Sequence, residues 1–81
     1  MADGTVVLQR CFAAVFPELP PEEISSASVD NVPAWDSLAS LTLVAVLEDE
    51  FGVEISELDL PGLTSFVAVR EYLQRKERLS A

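Results

Sequence analysis

Hydrophobic positions along this chain recur at helical spacing in three places and alternate at strand spacing in none. From Thr5 to Phe16, the residues Leu8, Cys11, Phe12, Val15 and Phe16 form one stripe, and Pro17 predicts its end. From Ser37 to Phe51, the residues Ser40, Leu43, Val44, Leu47 and Phe51 form a second stripe, assigned to the core. Asp36 is a suitable N-cap for that helix, and Gly52 stands where a left-handed C-cap is favoured. Phe66, Val69, Tyr72 and Leu73 make a third stripe, capped by Thr64 or Ser65. Arg75, Lys76 and Arg78 fall in its last turns, where cations complement the helix dipole. Ser56 to Leu60 has room for about one helical turn before Pro61-Gly62 breaks it. Residues 17–35, rich in proline, serine and acids, read as a long loop with one helical turn around Glu22 to Ser25, anchored by Leu19, Ile24 and Val29. The expected fold is all-α: a small four-helix bundle with a short third helix and a long loop between helices 1 and 2.

The length of 81 residues predicts a single domain over 1–81 with a thin core. An apolar share of 49% is too high for a disordered tail, and no apolar stretch is long enough to span a bilayer. Residues 1–16 lack the cationic start and cleavage site of a secretory signal. The lone Cys11 falls on the first stripe and reads as a small core residue. It excludes an internal disulfide and suits a reducing compartment, so a cytoplasmic location is expected. With no histidine, His-based catalysis and Cys/His zinc sites are excluded. Net charge is −9, and from Cys11 to Val69 the chain holds acids but no lysine or arginine. That distribution favours a monomer and basic partner surfaces, and it argues against nucleic acid or anionic membrane.

The second helix carries more apolar surface than its core stripe uses. Leu38, Leu41 and Ala45 lie on another face, about a right angle or more from the stripe's centre. Either a neighbouring helix buries them, or they form a docking patch beside Ser37. Ser37 itself sits in the first turn, in the field of unpaired backbone N–H groups, where a phosphate ester would be stabilised. Glu48-Asp49-Glu50 cannot converge on one metal ion, because successive helical positions point in different directions. They read as a solvated acidic face open to a basic partner. No nucleophile has a base beside it, so no catalytic residue and no metal site are expected.

These residues together resemble an acyl carrier protein. Asp36-Ser37-Leu38 matches the family's attachment motif. Leu43-Val44, Leu47-Glu48-Asp49-Glu50-Phe51, Glu54-Ile55 and Leu63-Thr64-Ser65-Phe66 to Tyr72-Leu73 follow in the family's register. The resemblance implies that Ser37 is esterified by 4′-phosphopantetheine, delivered from coenzyme A by a phosphopantetheinyl transferase. Asp36 would support that transfer. It also implies partner contacts at Leu38, Leu41, Ala45, Glu48 and Asp49 with acyl-loading and acyl-using enzymes of fatty-acid, lipid or polyketide-type biosynthesis. The chain would carry thioesters and catalyse nothing. Ala39 and Thr42 stand where the family often has acids, and Ala34-Trp35 where glycine is common. These departures point to a specialised pathway. Trp35 either plugs the loop against the core, or borders the tether or touches a partner. The alternative reading is an unmodified acidic module of the same fold that binds or regulates a basic enzyme.

Overall fold

A computed structural model describes residues 4–76. Helix α1 spans Gly4–Val15, α2 spans Ser37–Phe51 and α3 spans Phe66–Arg75. Two 3-10 helices lie between them, Pro21–Ser26 in the long loop and Glu57–Gly62 before α3. The all-α architecture is as the hydrophobic spacing predicts, and no strand forms among the described residues. The helical turn expected at Glu22 to Ser25 is a six-residue 3-10 helix started by Pro21, whose fixed φ suits a first helical position. The short third helix is also 3-10 and includes Pro61 and Gly62, which were expected to break it. A proline near the end of so short an element interrupts little, because few i→i+3 bonds follow it.

The caps follow side-chain chemistry. Asp36 Oδ1 accepts from Ala39 N–H at 2.8 Å, and Ser65 Oγ accepts from Ala68 N–H at 3.0 Å. Of the two cap candidates for α3, Ser65 is therefore the one used. Gly52 closes α2 at φ 61°, a conformation that costs a glycine little and a side-chain-bearing residue more. Arg75 lies in the last turn of α3 and Lys76 caps it, whereas Arg78 lies outside the described residues.

The core is built on Leu8, Phe12, Leu47, Phe66, Val69 and Leu73, all fully buried. Helix α1 packs against α2 and the first 3-10 helix, and α3 packs against that same 3-10 helix. Cys11 is buried in this core. Burial first, then the nearby charge of Glu50, pushes its thiol up to about 11.

The long loop is pinned rather than loose. Ile24 is a core anchor and Leu19 packs at the edge, as expected, but Val29 is 39% exposed. A turn explains the correction. Asn31 and Val32 N–H both donate to the Ser28 carbonyl, which swings Val29 outward and brings Val32 in. Ala27, Val32 and Trp35 are the loop's other buried residues. Ser28 also forms an isolated antiparallel bridge with Ser65. Val29 N–H donates to Thr64 O, and Phe66 N–H to Ala27 O, both at 2.9 Å.

The second 3-10 helix contributes no buried residue. It is tied to α3 by the Tyr72 hydroxyl, which donates to Asp59 Oδ2 at 2.7 Å. Burial first, then this hydrogen bond, raises the Tyr72 pKa from the usual 10 to about 12. A phenol whose folded pKa is raised stabilises the fold fully below pH 10, and that stability is lost as pH climbs through about 12. Thermal melting across this window is expected to fall more steeply for the natural chain than for Tyr72→Phe. Cys11 titrates in the same range in both proteins, so the difference belongs to Tyr72. Equal slopes would remove the tyrosine from the account.

Candidate functional site

The first turn of α2 leaves one hydroxyl unused. Ser37 is exposed, and its Oγ makes no hydrogen bond among the described residues. Among the described residues two other serines begin helices, and both spend their oxygens on caps: Ser56 Oγ accepts from Leu58 N–H at 3.1 Å and Ser65 Oγ from Ala68 N–H. Ser37 escapes this duty because Asp36, one residue earlier, is the cap. The Asp36 side chain takes Ala39 N–H, and its carbonyl takes Ser40 N–H at 2.9 Å. The N–H groups of Ser37 and Leu38 keep no acceptor among the described residues. An exposed hydroxyl therefore stands beside two free donors at the positive end of a helix.

Down one face from Ser37 run Leu38, 73% exposed, Leu41, 56% exposed, and Ala45, also exposed. Their spacing of three and four places them in a row. Of the two explanations open from the sequence, burial by a neighbouring helix fails among the described residues. The core side of α2 is formed by Leu43 and Leu47, with Ala39, Val46 and Phe51 packed at its margin. Val44, expected on this stripe, is half-buried and is not part of that packing. Val46 takes the place because α1 approaches α2 from that side, where Val7, Cys11, Ala14 and Val46 line one cleft. Leu41→Ala is expected to change the free energy of unfolding by no more than about 0.5 kcal/mol in a urea titration. A loss as large as that of a buried leucine would place Leu41 in the core.

The acidic end of α2 divides its labour. Asp49 and Glu50 are exposed, but Glu48 is half-buried and its Oε2 accepts from Ile55 N–H at 2.8 Å. That bond fixes the turn after Gly52, so Glu48 has a structural partner that sequence spacing did not reveal. The described residues contain no cluster of carboxylates or thiols able to hold a metal.

Trp35 plugs the loop against the core and is only 4% exposed. Its ring lies 5.5 Å from that of Phe12 and 5.4 Å from that of Phe16, and its indole N–H donates to Ser40 Oγ at 3.0 Å. Sequence spacing put Ser40 on the apolar stripe without a reason for its hydroxyl. A polar residue on a core stripe needs a partner, and that signal could have paired it with the indole five positions earlier.

A groove of about 490 Å³ lies between the end of α1 and the long loop, walled by Phe16, Leu19, Val32 and Pro33 with Glu18 and Glu23 alongside. It shares no lining residue with Ser37 or the exposed row on α2. No described helix is long and apolar enough to cross a membrane.

Comparison with known families matches residues 7–73 to the one described as the phosphopantetheine attachment site. No curated protein and no solved structure matches the chain.

Proposed function

This chain belongs to the phosphopantetheine attachment-site family, and from that premise we propose that Ser37 is the residue that carries the arm. Domains of this family bear 4′-phosphopantetheine covalently, are substrates of phosphopantetheinyl transferases and interact with acyl-handling enzymes without being catalysts themselves. The arm supplies a terminal thiol that holds acyl groups as thioesters. The observation that carries the assignment is the free hydroxyl. Among the described serines that start helices, Ser37 alone is spared from capping. The unclaimed N–H groups of Ser37 and Leu38 suit the negative charge that a phosphodiester brings.

Each neighbouring residue has a part in this reading. Asp36 fixes the first turn through Ala39 and is itself exposed, so its carboxylate can support the transferase's donor. Leu38, Leu41 and Ala45 form the apolar strip of a docking face, and Asp49 with the outer side of Glu48 forms its acidic lower edge. A partner with a small apolar hollow and a basic rim fits it. Association is then steered by charge and stays weak enough to exchange. Ala39 and Thr42, neutral where acids are common, leave the upper face more apolar and favour a specialised fatty-acid, lipid or polyketide-type pathway. The buried, protonated thiol of Cys11 suits a reducing compartment such as the cytoplasm.

The test is modification in vitro. Purified protein incubated with coenzyme A and a broad-specificity phosphopantetheinyl transferase should gain the mass of one arm, and proteolytic mapping should place it on the peptide holding Ser37. A protein left unmodified by several transferases of differing specificity would sink the assignment.

A further inference from the structure

The geometry points to Trp35 as a positioning residue: its indole, held in the aromatic core and hydrogen-bonded to Ser40 Oγ, fixes the overhanging first turns of α2 and so sets how Ser37 meets an incoming phosphoryl donor. The inference rests on the attachment reading and adds a residue to it.

The core does not hold the start of α2. Its buried residues are Leu43 and Leu47, so the stretch from Ser37 to Thr42 has no buried side chain. Ser37, Leu38, Leu41 and Thr42 are exposed, and Ala39 packs only at the core's edge. A helix end in that state frays unless something outside it binds it down. Asp36 caps the turn, but Asp36 is itself exposed and gives the turn no hold on the core.

Trp35 supplies the hold. It is wedged on Phe12 of α1 and on Phe16 just past that helix, edge-on to the first at 75°, and its own N–H donates to Val32 O at 2.9 Å. From that seat the indole Nε1 reaches Ser40 Oγ at 3.0 Å, one turn into α2. The side-chain bond and the Asp36–Ser40 backbone bond converge on one residue, so the turn bearing Ser37 is registered against α1. In the reaction, a bond forms between Ser37 Oγ and a phosphorus of coenzyme A. The bond from that phosphorus to the departing nucleotide phosphate breaks, and the hydroxyl proton passes to a base of the transferase. In-line attack of this kind is sensitive to where the oxygen sits.

The experiment compares Trp35→Phe, Ser40→Ala, the double variant and Ser40→Thr with the natural chain. Phenylalanine keeps a ring against Phe12 and Phe16 but loses the N–H, and threonine keeps the acceptor. Modification by the transferase and coenzyme A is followed by intact mass, with kcat and KM for the carrier separated. Amide exchange at Ala39 and Ser40 is measured on the same proteins. Each single variant should lower kcat about tenfold with KM little changed, and the double variant should be no slower than either single one. Ser40→Thr should restore the rate. Amide protection should fall at Ala39 and Ser40 and persist at Leu47. Val69→Ala, a core change in α3 that lowers the melting temperature, should leave kcat as it was. Full kcat in Trp35→Phe and Ser40→Ala, unchanged protection at Ala39, or an equal fall in Val69→Ala overturns the inference. A natural chain that is never modified overturns the attachment reading instead, and the positioning role with it.

Discussion

Ser37→Ala protein is expected to take up no arm at all, while Ser56→Ala and Ser65→Ala proteins take up one each. The contrast comes from what each hydroxyl already does. Ser56 and Ser65 are acceptors for N–H groups two and three residues ahead, so losing them removes a cap. For Ser65→Ala that loss should lower stability by about 1 kcal/mol, because α3 begins there. Ser37 caps nothing, because Asp36 does. Its replacement should therefore leave the melting temperature close to the natural value while modification, read by intact mass, falls to nothing. Function and stability separate completely at this residue and run the other way at Ser65. An arm found on the Ser37→Ala protein would move the attachment site elsewhere.

Phe12→Ala should be the most damaging single truncation in the chain, at about 3–5 kcal/mol. Phe12 has no exposed surface. Its ring lies 5.1 Å from Phe66 at 65°, 5.5 Å from Trp35 at 75° and 6.2 Å from Phe16. It therefore joins α1, the long loop and α3 at one point. Edge-on aromatic pairs add to the burial of the ring itself, and a cavity there has walls from three elements that cannot all close on it. At roughly 0.05–0.15 kcal/mol per residue, an 81-residue chain has about 4–12 kcal/mol in total. The variant is expected to unfold at a much lower urea concentration, or to be partly unfolded in buffer. A midpoint shifted no further than that of Leu41→Ala would mean that the three elements do not depend on this ring.

Local signals were strong where a residue's role is decided by its near neighbours. Asp36, Gly52 and Pro17 mark element ends through their own backbone and side-chain chemistry. The observed boundaries lie next to Asp36 and Gly52, and α1 ends two residues before Pro17. The core residues of α1 and α3 were legible because each helix has one apolar face and one place to put it. Helix α2 was harder. It is apolar on more than one side, so periodicity could not say whether Val44 or Val46 met α1, nor whether Leu38 and Leu41 were covered. Those choices depend on where the neighbouring helices lie, which spacing does not encode. The loop hid the most. Val29 looks like an anchor by composition, yet a turn closed on the Ser28 carbonyl sends it outward. The Trp35–Ser40 and Glu48–Ile55 bonds join residues five and seven apart across a change of element, where no periodic pattern applies. At the site, the exposed hydroxyl and its aspartate were readable from the helix start, whereas what steadies that start was not.

The bridge between Ser28 and Ser65 is made of main-chain atoms alone: two amide hydrogens and two carbonyl oxygens. Such a fastening carries no vote for any particular side chain. Sequence drift at Val29 and Thr64, both at the surface, should leave it closed, with proline at Val29, lacking the amide hydrogen, the change expected to open it. Related chains can thus diverge freely along this seam and still bring the long loop home to the last helix.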